Sequence, residues 1–348
     1  MSNKETKWIK SGDKAVIKLP LSKSPVFNRK LPLSTLFVGP YSHEFGHELF
    51  SFQGYARKLS EYCADRLVPY EKVIVACRDS MKFLYEDFAT DFLSIKEAEL
   101  MGFSKETREN LDLMTHVSES FCRASVRGGS GNFRHEQSFV RYGKYKQALR
   151  IDDGAPSLWT YDLIIHARRK KGRMSVNLSD EAYDVLFREL SSRYRVAFIG
   201  AEPDSHCPDG ASDLRGIPLS ELANTLASSR LVVGQSSGPI HFASLCNVPH
   251  LTWGGYRLRT FIRYAHYWNP FSTLCYLLES SSDGYIKNRI KMSKLPKDVL
   301  DSGHFNILDE KRYRHPPVDR LLLWIEKVIN SKKLDEFNKK RMQRDLAQ

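Results

Sequence analysis

Between residues 160 and 255 short apolar runs of strand length alternate with stretches of helical period, and few folds accommodate that alternation. Strand-sized runs stand at Leu163 to His166, Val196 to Gly200, Leu231 to Gly234 and His250 to Trp253, with helical stretches near Asp180 to Ser192, Leu219 to Ser228 and Pro239 to Cys246. Strand, helix, strand repeated in this way predicts a parallel sheet with right-handed crossovers. The same rhythm opens the chain's first half. Leu36 to Gly39 reads as a buried strand, apolar residues at 45, 49, 52, 56, 59 and 63 trace one helix face, and Val73 to Ala76 forms the next strand.

The rhythm is lost from about 102 to 158, where Gly128-Gly-Ser-Gly131 and Asp152-Asp-Gly-Ala-Pro156 signal turns, so a domain boundary is expected near 155. The expected organisation is a basic arm (1–30), a first α/β domain (31–155), a second α/β domain (156–315), and a C-terminal helix with a charged tail (316–348). The arm carries eight Lys or Arg against two acids, with one short strand at Ala15 to Leu19; a frayed, solvated terminus is the alternative. The chain has 348 residues, enough for two domains each with its own core. Six cysteines lie without any C-x-x-C pair and read as reduced and structural. No apolar run reaches the length of a membrane span, and Met1 to Leu19, with five lysines, does not read as a secretory signal, so a cytoplasmic location is expected. The formal charge of +12 favours an anionic partner without saying which.

The most informative segment is Leu231-Val-Val-Gly-Gln-Ser-Ser-Gly-Pro-Ile-His-Phe-Ala-Ser-Leu-Cys246. A strand runs into a Ser/Gly turn, and Pro239 sits where the first helical turn tolerates a missing amide hydrogen. Amides at that helix start, the hydroxyls of Ser236 and Ser237, a close backbone approach at Gly238 and His241 on the same turn would suit paired phosphates. The plainer alternative is that a serine caps the helix and His241 is a core side chain.

Residues 160–255 resemble the C-terminal domain of bacterial heptosyltransferases and related glycosyltransferases with two Rossmann-like domains. The resemblance rests on Ser236-Ser-Gly-Pro-Ile-His-Phe-Ala243, then Pro249 and Gly254, with Asp213-Leu-Arg-Gly216, Leu219 and Glu221-Leu222 upstream. It departs from the family pattern at Ser236, where that family usually has an acid. The resemblance implies an α/β fold of two Rossmann-like domains facing a cleft (GT-B), and a nucleotide-sugar co-substrate without a further cofactor. It also implies transfer of a sugar with inversion to an acceptor hydroxyl.

In the basic loop Arg168-Arg-Lys-Lys-Gly-Arg173 the resemblance places Arg168, with Lys170 or Lys171 second, against the donor's phosphates; a solvated charge run is the alternative. In Gly39-Pro-Tyr-Ser-His-Glu-Phe-Gly-His-Glu48 it implies a general base, with Glu44 first and Glu48 second; His43 and His47 flank Glu44 and either orient the acceptor or carry no role. The alternative for Glu44 is an acid favoured by a helix N-terminus. Tyr256 to Trp268 interleaves Arg257, Arg259 and Arg263 with aromatic rings, suited to a nucleoside or nucleic acid, or to an ordinary core. No Asp-x-Asp pair and no zinc-type spacing occurs, so a metal-independent reaction is expected. A phosphate loop of the G-x-x-x-x-G-K type is likewise lacking.

The expected partners are a nucleotide-sugar donor and an anionic acceptor. The acceptor is either a hydroxymethylated DNA base, as with phage-encoded DNA glycosyltransferases, or a phosphorylated envelope glycolipid. The competing function is a non-catalytic module that keeps the fold and binds nucleic acid or protein through its basic surface.

Overall fold

A computed structural model describes residues 6–11, 15–20, 35–41, 45–54, 56–57, 60, 70–103, 114–117, 159–169, 177–254, 269, 271–280, 303–313 and 316–346. The chain forms two compact units, Met1–Val140 and Arg141–Gln348. The boundary expected near 155 falls among residues outside those described.

The first unit begins with β1 (Thr6–Ser11) and β2 (Ala15–Pro20), an antiparallel ribbon where one short strand was expected. There follow β3 (Thr35–Val38), a helical segment opening as α1 (Phe45–His47) and continuing through a wider turn at Glu48–Phe52, β4 (Lys72–Ala76), a 3-10 turn at Asp79–Leu84, β5 (Asp91–Leu93), α2 (Ile95–Leu100) and β6 (Met114–Val117). Four strands pair in parallel in the order β5-β4-β3-β6. Leu49, Phe52 and Ala56, three of the residues on the expected helix face, are buried. On one side of the sheet Phe37 stacks on Phe103 with centroids 3.7 Å apart, beside Ala76 and Ala98. The start of α2 is fixed by a reciprocal cap in which the Ser94 hydroxyl accepts from the Glu97 amide and the Glu97 carboxylate accepts from the Ser94 amide.

The second unit holds β7 (Tyr161–His166), α3 (Asp180–Ser191), β8 (Val196–Gly200), β9 (Ser212–Arg215), α4 (Leu219–Ala227), β10 (Ser229–Gln235), α5 (Gly238–Leu245), β11 (His250–Trp253), β12 (Cys275–Ser280), β13 (Phe305–Tyr313), α6 (Val318–Ile329) and α7 (Lys332–Leu346). Its seven strands are all parallel, in the order β13-β12-β11-β10-β7-β8-β9. Leu163, Ile164, Ile165, Leu231, Val232 and Val233 are all fully buried. Continuous apolar runs of this kind are what a sheet covered on both faces requires. One face packs against Tyr183, Leu186 and Leu190 of α3 and Leu321, Ile325 and Val328 of α6; α4 and α5 pack against each other and against β10.

The segment expected as a charged tail is α7, and it is part of this unit's packing. Leu334, Asn338 and Arg341 are buried. Arg341 Nη2 donates to the Ser229 carbonyl at 2.7 Å, its guanidinium lies 4.8 Å from the Trp159 ring centre, and Asn338 Nδ2 donates to the Arg230 carbonyl at 3.2 Å. No helix among the described residues is long and apolar enough to cross a membrane.

Candidate functional site

In the second unit β7, β8 and β9 step outward on one side. The chain then returns to the other side of β7 as β10 and continues through β11, β12 and β13. Helical connections diverge at such a reversal, leaving a crevice beyond the carboxyl ends of the two central strands, where α/β proteins bind ligands. Those ends are His166, which leads into Ala167 and Arg168, and Gln235, which leads into Ser236 and Ser237. Sheet pairing aligns His166 with Gly234.

The turn after β10 is held from both sides. Ser236 donates its amide to the Trp253 carbonyl at 2.7 Å, and Arg168 Nη1 donates to the Ser236 carbonyl at 3.3 Å. Ser237 takes the cap position of α5 in extended backbone, φ −160° and ψ 168°, but its side chain does not cap the helix. Its Oγ lies instead 2.8 Å from Nδ1 of His166. Gly238 and Pro239 open the helix, and the first intrahelical bond to Ser237 runs from the His241 amide to its carbonyl at 3.0 Å. His241 is buried in this first turn. Amides at a helix start lack intrahelical partners and carry the positive end of the dipole, so this turn can accept an anion.

Two glycines make this packing possible. A Cβ on Gly234 would meet Ile240 Cδ1 at 2.9 Å and the His166 backbone oxygen at 3.1 Å. Gly200, at φ +142°, ends β8, and a Cβ there would fall 2.4 Å from Ser205 Oγ and 3.2 Å from His166 Cδ2. The loop after β8 closes against Arg168 and Arg169. Arg168 bridges Ser205, Arg169 donates its amide to the Asp204 carbonyl, and the His206 amide donates to the Ala167 carbonyl, the last two at 2.7 Å.

The basic loop thereby divides into two roles. Arg169 grips Asp180 with Nε at 2.8 Å and Nη2 at 2.6 Å, while Nη2 also meets His206 Nδ1 at 2.7 Å. It is a brace for the start of α3. Arg168 instead reaches the serine turn. Lys170 and Lys171 lie outside the described residues, as do Arg257, Arg259 and Arg263.

In the first unit, His43 and Glu44 lie outside the described residues, and of His47 only its place in α1 is described. Glu48 is 1% exposed. Its Oε1 accepts from the Tyr85 hydroxyl at 2.9 Å and its Oε2 is 3.6 Å from Arg78 Nη2. Burial and then the Glu48 charge push the Tyr85 hydroxyl well above its usual range, keeping it a donor. Cys77 is pushed up to about 12 by burial and next by Glu48. Glu48 is thus buried beside the Tyr85 hydroxyl and the Arg78 guanidinium.

His166 is the residue that sequence reasoning did not single out. The sequence places a histidine at the end of the apolar run Leu163-Ile-Ile, hence at a strand's carboxyl end, but does not disclose its partner Ser237. Burial, and then the Arg168 charge, lower its pKa to about 3, so its ring is neutral at ordinary pH. His250, whose Nδ1 lies 3.1 Å from the Val248 carbonyl, is lowered to about 4 by burial. Between these values and the unfolded value near 6.5 the unfolded chain binds more protons than the folded one. Stability from both rings is therefore present above that value and lost as pH falls. Unfolding free energies from urea titrations are expected to drop from pH 7 to pH 4.5, with a slope approaching about 1.4 kcal/mol per pH unit for each ring. His250→Gln is expected to remove one proton's share of that slope, and an unchanged slope would show that His250 does not carry it.

Among the described residues, no three His, Cys, Asp or Glu side chains are grouped as metal ligands would be. No family model and no curated protein matches the chain. Among solved structures it is similar to the ADP-heptose lipopolysaccharide heptosyltransferase II of Escherichia coli, at 12% identity and a TM-score of 0.47, covering 85% of this chain and 98% of that one. It is also similar to a glycosyl transferase of family 9 from Veillonella parvula, at 12% identity and a TM-score of 0.42, covering 72% and 87%. A third likeness is to the E. coli heptosyltransferase WaaC with ADP-2-deoxy-2-fluoro heptose, at 13% identity and a TM-score of 0.41, covering 71% and 93%. A functional reading rests on the residues of the site itself.

Proposed function

We propose that this protein is a glycosyltransferase that moves a sugar from a nucleotide-sugar donor to a hydroxyl of an anionic acceptor. The observation that supports this reading best is the Arg168–Ser236 contact beside an uncapped helix start, at the reversal point of a parallel sheet. A guanidinium and backbone amides converging there suit a diphosphate and favour charge that grows as it leaves.

In the proposed reaction the acceptor oxygen attacks the anomeric carbon and gives its proton to Glu44. The bond from that carbon to the diphosphate oxygen breaks, and the nucleoside diphosphate departs with its charge offset by Arg168, the amides near Gly238 and His241. Lys170 is a second phosphate contact in this proposal. Arg257, Arg259 and Arg263 serve the nucleoside or acceptor, with His43 and His47 beside the acceptor. Inversion at the anomeric carbon and independence of metal ions are parts of the same proposal.

The first test is to incubate the protein with a panel of nucleotide sugars, with and without acceptors, and to assay free nucleoside diphosphate. Release with at least one donor is expected; binding without release from any donor and acceptor pair would favour a non-catalytic module. Glu44→Gln is expected to lower transfer by about 10²–10⁴-fold, while calorimetric donor affinity stays within about twofold of the parent. Unchanged turnover would remove Glu44 from the reaction. For the acceptor, the charge of +12 supports a polyanion. Sugar incorporation into hydroxymethylated DNA, or into a phosphorylated glycolipid in anionic vesicles, separates the two acceptors.

A further inference from the structure

We infer that His166 is a positioning residue: it holds the Ser237 hydroxyl away from its own helix and so keeps the first-turn amides of α5 open to a diphosphate. The inference rests on the reading of this turn given above and names the device that makes it work.

A serine at a helix cap ordinarily accepts a hydrogen bond from the amide two or three positions on. Here the position two on is Pro239, which has no amide hydrogen, so self-capping by Ser237 would have to use the amide of Ile240. Gly238 and Ile240 supply the only amide hydrogens in the first three positions of α5. Self-capping would therefore withdraw half of the donors that the first turn presents. The observed side chain makes no such cap and lies 2.8 Å from His166 Nδ1 instead.

The imidazole is built to stay where it is. It is 5% exposed, ends a central strand, and is bounded by two glycines whose Cβ atoms would crowd it, Gly200 at 3.2 Å from Cδ2 and Gly234 at 3.1 Å from Cβ. Its partner across the sheet, Gly234, stands three residues before Ser237, so the pairing of β7 with β10 sets the distance between ring and hydroxyl. A ring fixed in this way removes the hydroxyl's rotational freedom, which is the cost an anion would otherwise meet on arrival.

The experiment measures inorganic pyrophosphate affinity by calorimetry in the full-length protein. His166→Leu is expected to weaken binding by about tenfold, the scale of one hydrogen bond to a charged group. His166→Asn, whose amide can again bond the hydroxyl, is expected to stay within about twofold of the parent. Adding Ser237→Ala to His166→Leu is expected to recover affinity, because the competing cap is gone. A general structural role for His166 would not yield recovery on removal of a further polar group. Should His166→Leu not fold, hydrogen exchange in the parent protein decides: pyrophosphate is expected to slow exchange at the Gly238 and Ile240 amides. Pyrophosphate binding with those amides unaffected overturns the inference, as does unweakened binding by His166→Leu or a double variant no better than His166→Leu. If neither pyrophosphate nor any nucleoside diphosphate binds the parent, the reading of the site falls and this inference with it.

Discussion

Arg168→Ala is expected to cut donor turnover by about 10²–10³-fold, the loss typical of removing one preorganised donor to a developing negative charge. The guanidinium leaves the end of a central strand and reaches the turn that opens α5, where Nη1 donates to the Ser236 carbonyl. A planar guanidinium presents its N–H groups in a fixed fork whose geometry matches two phosphate oxygens, which a lysine ammonium cannot reproduce. Arg168→Lys keeps the charge without the fork and is expected to recover only part of the rate. The control is its neighbour. Arg169 spends its fork on Asp180, and both partners are 40% exposed. Such a pair contributes no more than about 1 kcal/mol to stability after solvent screening. Arg169→Ala is therefore expected to leave turnover within a few-fold of the parent. Nucleoside diphosphate release across the three variants reads the difference, and equal losses at both arginines would mean that the loop acts only through its summed charge.

This contrast marks the limit of what the sequence discloses. Two adjacent arginines in one loop look alike as letters; the loop after β8 and the start of α3 give them different partners. Strands β3, β4, β7, β8, β10 and β11 were legible because each is an apolar run buried on both faces. β9 was not, since Ser212-Asp-Leu-Arg215 lies at the sheet edge with half of its residues exposed and carries a polar sequence. β12 and β13 extend the other flank, and β13 runs through Asp309, Glu310, Lys311 and Arg312, charges that read as loop. The turn from Ser236 to Pro239 and the helix it opens were legible because serine, glycine and proline at a strand end have a local meaning. His166 was not, because its meaning is non-local: its partner is 71 residues away and only the sheet reversal brings the two together. The buried contacts of the first unit, such as Arg57 with Asp87, are hidden in the same way, since the partners lie 30 residues apart.

Arg57→Ala is expected to destabilise the first unit by about 3–5 kcal/mol, the cost of breaking a buried ion pair from one side. Arg57 is 1% exposed and follows the helical segment that starts at α1. Its Nε and Nη2 donate to the two oxygens of Asp87 at 2.7 and 3.0 Å, Nη2 donates to the Leu84 carbonyl at 2.8 Å, and Nη1 donates to Gln53 Oε1. The guanidinium also lies 5.1 Å from the centre of the Phe88 ring. One side chain thus ties this helical segment to the connection between β4 and β5. Truncation removes the guanidinium from the Asp87 carboxylate, which is 10% exposed, and from the Leu84 carbonyl. Against a typical domain stability of about 5–15 kcal/mol this is enough to populate the unfolded first unit in mild denaturant. Arg57→Met with Asp87→Leu is expected to recover part of the loss, as buried ion pairs often do when both partners become apolar. Arg57→Lys is expected to fall between, with one cation but no fork. Denaturant unfolding read by hydrogen exchange in β3 and β4 separates these outcomes. A midpoint for Arg57→Ala within experimental error of the parent would show that the Arg57–Asp87 pair adds nothing to the stability of the folded unit.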